Sequence, residues 1–535
     1  MEHLVSIVIP TRNEEKNIGR LLQAIAASVT IPYETIVVDD SDNKLTRMAA
    51  IYEGATAIQG KHKGLGQAML DGIAASSGDI VVLMDADLSH SPAAIPNLIN
   101  PIINHGYDMT IGSRYIKGGE TVGWTKKRIV ISKVASLLGM AITGIHDATS
   151  GFFAFRRSIV ENTELKASSW KIMLEILVKA NPTAVMEVPI SFEDRKAGQS
   201  KFNKKEVKNY LVHLFRLALY RYQAVIKFGL IGISGTIINF LLLYALTDLV
   251  GMFYIGSAVI ATIIASTNNY ILNHKWTFSD RTISNHLLGW TKYQLVSSST
   301  DWIYIGMIAL FTEVFGIWYI LSAALSLVLI FPAKFILASG LIWSKKLDVK
   351  SEDYEWNAFF KGSPIQKWWK RSIAKTVWTW APNASKLLEI GCGSSPTISK
   401  YDHAIGIDTN KRKLEFMKKK LPNCKFLEKK TEQFKDEEFD HVLCIEVLEH
   451  LNNPTYMISE IARLLKPYGN AIIATPDYKK TLWHLAERFT PYKEEHIVKL
   501  DKEKLEEICR LHKLEPVRSK YIAGCDLVEE FVKVV

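Results

Sequence analysis

Four apolar runs follow one another in the middle of this chain, at residues 226–250, 254–272, 295–315 and 318–343. Each is close to 20 residues or longer, the length that a helix rising about 1.5 Å per residue needs to cross a hydrocarbon core of about 30 Å. A buried pair of globular helices would explain one or two such runs but not four in succession. Basic residues mark one side. Arg216, Arg221 and Lys227 precede or open the first run, Lys275, Arg281 and Lys292 lie between the second and third, and Lys345 and Lys346 follow the fourth. The opposite loops, near Gly251 and residues 313–316, carry none. This asymmetry predicts a four-helix transmembrane domain over residues 221–345 with both flanking parts in the cytoplasm. Asp301 and Lys334 fall inside the third and fourth runs at similar depth, about 12–14 Å from the cytoplasmic ends at 1.5 Å per residue. An unpaired charge there is costly, so an ion pair or shared polar cluster is expected.

The formal net charge of +10 raises nucleic acid as a partner. The basic residues are not gathered into one cluster with interleaved aromatics, however, and many flank the apolar runs. That placement favours anionic lipid, and no nucleic-acid partner is expected. The five cysteines, Cys392, Cys424, Cys444, Cys509 and Cys525, fall in the last third without metal-like spacing. An odd count favours reduced thiols in a cytoplasmic setting. The N-terminus enters a strand-like run directly, with no signal peptide to be seen.

Residues 1–220 alternate strand and helix. Strands are expected at 5–9, 35–38, near 57–58 and at 80–84, and helices at 14–27, up to Tyr52, and from Lys63-Gly64-Leu65-Gly66 onward. The pattern predicts an α/β sheet of parallel strands, whose ligands bind beyond the carboxyl ends. Three such ends, Pro10-Thr11, Asp39-Asp40 and Asp85-Ala86-Asp87, should meet at one crevice. Asp85 and Asp87, two apart on an extended segment, should face the same way. Two such acids suit a hard divalent ion bridging to a diphosphate, although a solvated turn is the plainer reading. Asp39 could accept from a base or ribose, and Gly64 and Gly66 allow phosphate close to a helix N-terminus.

Pro10-Thr11-Arg12-Asn13-Glu14, Val37-Val38-Asp39-Asp40-Ser41, Gly64-Leu65-Gly66, Met84 to His90 and Gly112-Ser113-Arg114-Tyr115 occur in that order. With Gly123-Trp124, Arg128, Ser132, Asp147 to Phe152, Val188 to Phe192 and Asp194 to Lys201, they resemble the polyprenyl-phosphate enzymes of glycosyltransferase family 2. The nearest branch is the dolichol-phosphate mannosyltransferases. The resemblance spans almost all of the first 215 residues. It implies a GT-A fold, GDP-mannose as donor, dolichyl or another polyprenyl phosphate as acceptor, and Mg²⁺ or Mn²⁺. It implies that Pro10, Thr11, Asn13, Glu14, Asp39, Asp85, Ala86, Asp87, Arg114 and Arg195 line the nucleotide sugar. Asp85, Asp87 and Ser89 would hold the metal, and Arg114, Arg128 and Ser132 the lipid phosphate. Asp87, Arg114, Arg128, Arg195 and Lys201 would carry the chemistry. Ser89 stands where several relatives carry Gln, and Ser41-Asp42-Asn43-Lys44 lacks their Asp-Gly turn. Asn268-Asn269-Tyr270 and Asn273 to Phe278 resemble the GtrA-like four-span family. An integral protein of a prokaryotic, archaeal-type cell membrane is implied.

After a segment at 346–383, whose residues 364–380 mix tryptophans with basic residues as an interfacial or a lid helix would, residues 384–535 read as a second α/β domain. Leu387 to Gly393 is a strand running into a Gly-rich turn, and Asp408 ends a second strand nineteen residues after Glu389. An acid there can accept ribose hydroxyls. With Glu446-Val447-Leu448-Glu449-His450-Leu451, this resembles the class I S-adenosylmethionine-dependent methyltransferases, a Rossmann-like fold. The resemblance implies that Glu389, Gly391, Cys392, Gly393, Asp408 and Glu446 line the cofactor. His450 and His496 are open between acid–base and structural roles, and no methyl acceptor can be read. Three rival functions stay open beside mannosyl transfer: transfer from UDP-glucose, lipid-sugar transport by the spans, and methylation as the main activity.

Overall fold

In a computed structural model, the structure describes residues 3–166, 171–194, 204–281, 283, 285–343, 351–382, 384–487 and 496–535. The chain forms two compact units, Met1–Tyr210 with Leu347–Val535, and Leu211–Lys346.

The first unit holds two seven-stranded sheets. The N-terminal sheet is built from β1 (Val5–Thr11), β2 (Tyr33–Asp39), β3 (Thr56–Gln59), β4 (Ile80–Leu83), β5 (Met109–Ser113), β7 (Phe153–Arg156) and β8 (Val185–Pro189). Its order is β3-β2-β1-β4-β7-β5-β8. A small parallel pair, β6 (Glu120–Val122) with β9 (Ser191–Glu193), stands beside it. Every residue of β1 and β4 is buried, as expected of strands covered on both faces. The sheet is not wholly parallel: β7 runs antiparallel to both β4 and β5. The helix expected from residue 14 begins at Ile18. Asn13 is left-handed (φ 60°), and the Glu14 amide donates to Thr46 Oγ1 instead of opening a helical turn.

The C-terminal sheet comprises β10 (Leu387–Ile390), β11 (Ile405–Ile407), β12 (Lys425–Leu427), β13 (Phe439–Ile445), β14 (Leu465–Pro476), β15 (Leu514–Ile522) and β16 (Asp526–Lys533). Its order is β12-β11-β10-β13-β14-β16-β15, parallel except where β16 pairs β14 and β15. The helix Pro364–Trp380 packs on this sheet. Ile373 and Val377 are buried in its core, Trp369 Nε1 donates to Asp526 and Trp378 Nε1 to the Thr397 carbonyl. That favours the lid reading of residues 364–380.

The two sheets' domains touch. Lys420 pairs with Asp108 at 3.0 Å, and His105 Nδ1 meets the Ser399 carbonyl at 2.8 Å. Trp356, 1% exposed, fills the space at Gly106, where a Cβ would fall 2.6 Å from the indole; Gly106 also has φ +70°. Glycine alone suits both demands.

Among the described residues, the second unit holds four helices long and apolar enough to cross a membrane: Gln223–Leu249, Tyr254–Thr277, His286–Val314 and Tyr319–Leu341. Large apolar residues face outward, among them Phe240, Leu241, Trp302 and Val328. Some polar residues face inward: Ser266 donates to Gln294, and Trp290 to Thr267. This inversion suits helices in lipid, where interhelical hydrogen bonds and small residues hold the bundle. Gly235 sits against Asn269, whose amide would overlap any Cβ. The second α-helix, Tyr254–Leu272, continues as a π-helical turn through Thr277, and the third begins at His286, ahead of the apolar run at 295. Of the polar residues at those ends, Asn273 and Thr277 are buried and Gln294 meets Ser266 and Thr267, while Lys275, Thr291 and Lys292 are exposed. Tyr270 and Phe278 stack on Trp343.

Lys334 Nζ donates to Asp301 Oδ1 at 3.0 Å, the pair expected from their depths. An unpaired charge within a membrane span is costly. Asp301→Lys and Lys334→Asp singly should each reduce folded protein recovered in detergent, and the charge-swapped double variant should recover much of it. Equal losses in all three would show that the pair contributes nothing.

Candidate active sites

The carboxyl ends of β1, β2 and β4 place the first set of residues. Asp39, closing β2, is fully buried. Its Oδ1 accepts from Thr11 Oγ1 at 3.0 Å and from Ser41 Oγ at 2.5 Å, and Arg47 Nε stands 3.5 Å from Oδ2. Oδ2 has no hydrogen-bond partner among the described residues. Pro10 is buried on β1, and the Asn13 amide donates to Ser41 Oγ at 2.7 Å. Thr11, Asn13, Glu14 and Asp39 thus share one hydrogen-bonded group with Ser41 and Thr46.

Asp85 and Asp87 lie just past β4, with buried Ala86 between them. They are not on an extended segment. Leu88 is left-handed (φ 61°), and Asp87 Oδ1 accepts from the Ser89 amide at 3.0 Å, so the acids sit in a tight turn. The strand alternation expected of them does not apply, because an aspartate readily closes a local turn on its own backbone. Ser89 Oγ is buried and lacks a partner among the described residues. A buried oxygen unmet beside two carboxylates fits the oxygen-rich donor set of a divalent cation.

Arg114 follows β5 and is 8% exposed. Its Nε and Nη2 donate to the two oxygens of Asp147, both at 2.7 Å, and Nη2 also reaches Thr149 Oγ1 at 2.9 Å. The guanidinium lies 5.1–5.3 Å from the rings of Tyr115, Trp124 and Phe192. Burial alone would raise the Asp147 carboxyl, but the hydrogen bonds and charge of Arg114 outweigh it and hold the pKa below the usual carboxylate value. Glu187 on β8 accepts from the Asp147 amide at 3.0 Å.

Arg128 donates to Asp194 at 2.7 Å and stacks 4.1 Å from the Trp124 ring. Ser132 accepts from the Tyr115 hydroxyl at 2.7 Å. Thr125 caps their helix, Lys126–Thr143. Arg195 and Lys201 lie outside the described residues.

Two groups at this site had no role in the sequence reading. His90, 2% exposed, packs on Phe152 and Phe192, with Nδ1 3.9 Å from Asp85 Oδ2. Burial pushes its pKa down to about 3, so the ring is neutral. Lys171 is buried and donates to the Thr149 carbonyl. Burial, with Arg114 nearby, lowers its pKa to about 7. His90 closes a motif that was in view. Lys171 carries no local signal, because only the fold brings it to residues 149 and 114.

In the C-terminal domain, Gly391 (φ 64°) and Gly393 (φ 50°) turn the chain after β10. The Gly393 amide donates to Asp408 Oδ2 at 2.8 Å, tying the turn to the end of β11. Cys392 is buried between them, and burial raises its thiol pKa well above normal. Glu355, from the helix Tyr354–Phe360, reaches the same turn: it accepts from the Ser394 amide at 3.1 Å and pairs with Lys413 at 2.5 Å. Glu446, just past β13, is left-handed (φ 54°) and pairs with Lys370. Glu389 is 2% exposed, and its Oε2 has no partner among the described residues. Burial, then the charges of Asp408 and Glu355, raise its pKa to about 8. A glycine turn flanked by an unmet carboxyl oxygen and a ribose-type acid fits an aminoacyl nucleoside cofactor.

Comparison with known proteins gives the family of each part of the chain. Residues 6–163 match the family model for glycosyl transferase family 2, 227–343 the GtrA/DPMS transmembrane domain, and 388–473 a methyltransferase domain. The dolichol-phosphate mannosyltransferase of Pyrococcus furiosus is 35% identical over 355 residues, covering 64% of this chain and 99% of that protein. The dolichol-phosphate mannosyltransferase of Saccharomyces cerevisiae is 31% identical over 238 residues, covering 41% of this chain and 88% of that protein. Among solved structures, glucosyl-3-phosphoglycerate synthase from Mycobacterium tuberculosis is 23% identical over 41% of this chain and 80% of its own, with a TM-score of 0.32. The chain belongs to glycosyl transferase family 2, and it is an integral membrane glycosyltransferase joined to a methyltransferase domain.

Glu389 makes the second site sensitive to pH. Its carboxyl titrates near 8 when folded and about 4.3 when unfolded, so the folded chain keeps a proton that the unfolded chain releases. Stability should therefore fall as pH rises through that window, by at most about 1.4 kcal/mol per pH unit. Thermal unfolding of Glu389→Gln without ligand should depend less on pH than the parent chain; parallel profiles would refute the assignment.

Proposed function

We propose that the N-terminal domain transfers mannose from GDP-mannose to dolichyl phosphate, or a related polyprenyl phosphate, giving the lipid-phosphate mannose. The observation that carries this reading is the 35% identity across 99% of a dolichol-phosphate mannosyltransferase. The unmet oxygens at Asp39 and Ser89 support it, because they lie where a nucleoside diphosphate sugar would be held.

The acceptor sets the chemistry. A phosphate monoester with a second pKa of about 6 is mostly dianionic near neutrality, so this nucleophile needs no general base. What the chain must do is bring two repelling anions together and align them. Thr11, Asn13, Glu14, Asp39 and Pro10 would seat the nucleoside, with the Asp39 carboxylate accepting from it. Asp85, Asp87 and Ser89 would hold Mg²⁺ or Mn²⁺, which would offset the charge of the departing diphosphate. Arg128 and Ser132 would receive the lipid phosphate, and Arg195 and Lys201 would add positive charge for the phosphates. Arg114, bound to Asp147, would act as a fixed positive centre and not as a moving ligand. The reaction is then a single displacement at the sugar's C1, with inversion.

The C-terminal domain would use S-adenosylmethionine, with Gly391, Cys392 and Gly393 giving it backbone access. Asp408 would accept from the ribose, while Glu389 and Glu446 would bound the same crevice. The basic residues at the span ends support placing both soluble domains in the cytoplasm.

Membranes holding the protein, supplied with radiolabelled GDP-mannose, dolichyl phosphate and Mg²⁺ or Mn²⁺, should yield lipid-extractable label. EDTA should abolish it, and Asp87→Asn should reduce it by on the order of 10²–10³, the loss typical of removing one electrostatic stabiliser. Transfer from UDP-glucose and not GDP-mannose would change the donor. No transfer from either would refute the reading.

A further inference from the structure

The turn after β13 contains a group of residues that the cofactor crevice does not use. Glu449 and His450 belong to the short 3₁₀ turn Leu448–His450. His496 is 46 positions away and is brought there by the backbone: the Ile497 and Val498 amides both donate to the Glu449 carbonyl, at 2.8 and 3.1 Å. One ligand atom from each of Glu449, His450 and His496 lies within 4.8 Å of the others. The two imidazole centroids are 4.8 Å apart.

Two of the three side chains, His496 and Glu449, are also held by neighbours. The Tyr478 hydroxyl meets His496 Nδ1 at 2.6 Å, and the Trp483 ring stacks on His496 with an interplanar angle of 6°. Thr475 Oγ1 donates to Glu449 Oε2 at 3.1 Å. Outer partners of this kind, a hydroxyl on one imidazole nitrogen and a donor on the carboxylate, set the tautomer and direction of metal-ligating side chains. Glu449 is 1% exposed, and no lysine or arginine among the described residues pairs with its carboxylate. A buried carboxylate in that position calls for a proton or a cation.

We infer that Glu449, His450 and His496 form a binding site for a divalent transition-metal ion in the methyltransferase domain, separate from the Asp85–Asp87 acids of the sugar-transfer site. Two imidazoles and one carboxylate suit Zn²⁺, Co²⁺ or Mn²⁺ better than a purely oxygen-seeking ion. Ligand bonds of about 2.0–2.2 Å require the three side chains to draw together by about 1 Å, which side-chain rotation supplies. Three protein ligands leave further positions open on the ion, as in catalytic and not structural sites. The site lies past the carboxyl end of β13, the edge at which sheets of this kind bind their ligands. An ion there would present an open position to an oxygen of the methyl acceptor.

The test uses the full chain in detergent, titrated with Co²⁺ in excess Mg²⁺ so that the oxygen-rich acids of the first domain are occupied. The parent chain and Asp87→Asn should each give one saturable equivalent of visible absorption from imidazole-ligated Co²⁺. His450→Ala and His496→Ala should lose at least tenfold in affinity while still binding S-adenosylmethionine. If either histidine variant does not fold, the parent titration decides alone: no saturable equivalent overturns the inference. An equivalent that persists in both folded histidine variants, or that vanishes in Asp87→Asn, overturns it as well. None of these readings depends on which sugar the first domain transfers.

Discussion

The bidentate pair between Arg114 and Asp147 is the contact on which the geometry of the N-terminal candidate site depends. Asp147 is fully buried and Arg114 nearly so. Such a pair is a weak source of net stability, since desolvation offsets most of its attraction, yet losing one partner is costly. Its value is geometric. Through Thr149, Ser136 and the Asp147 backbone it joins the end of β5 to the helix Lys126–Thr143, to the loop before β7 and to Glu187 on β8. Around it stand Tyr115, Trp124 and Phe192, and those rings carry the next layer, Arg128 and Ser132. A cation so enclosed cannot swing toward a substrate; it sets a fixed potential beside Asp85 and Lys171.

Much of this was legible from residues in order. A strand buried on both faces is a continuous apolar run, so Val5–Thr11 and Ile80–Leu83 announced themselves, and in such sheets the acids that follow strands gather at one edge. The Gly-rich turn after β10 was legible because a left-handed backbone asks for glycine. What stayed hidden was made by distance in sequence or by local competition. Asp85 and Asp87 left strand geometry because Asp87 closes a turn on Ser89. The antiparallel β7 could not be told from a parallel strand, since both are short apolar runs. Lys171 is twenty-two residues from the carbonyl it donates to, and Glu355 and Lys413 meet at the cofactor turn from opposite sides of β10. The third helix begins ahead of its apolar run because hydropathy counts Gln294 as polar without knowing that it meets Ser266 and Thr267.

Both soluble domains share one logic. Each is an open sheet whose functional residues lie past the strand ends, and each leaves buried oxygens unmet there: Asp39 and Ser89 in one, Glu389 in the other. Unmet buried polar atoms are destabilising, and binding sites are where folds tolerate them. The membrane unit keeps large apolar side chains outside and joins its helices through contacts such as Ser266–Gln294 and Trp290–Thr267, while Asn268, Asn269 and Ser326 among others each keep a buried polar atom without a hydrogen-bond partner among the described residues.

The central claim is that a lipid phosphate, already ionised and held beside Arg128 and Ser132, displaces the nucleoside diphosphate directly. The anomeric configuration of the purified lipid product, read from its C1–H1 coupling by nuclear magnetic resonance, tests this without mutation. Direct displacement predicts a β-linked sugar from the α-linked donor. An α-linked product would mean that a side chain of the protein intervenes as a nucleophile, and would contradict the account.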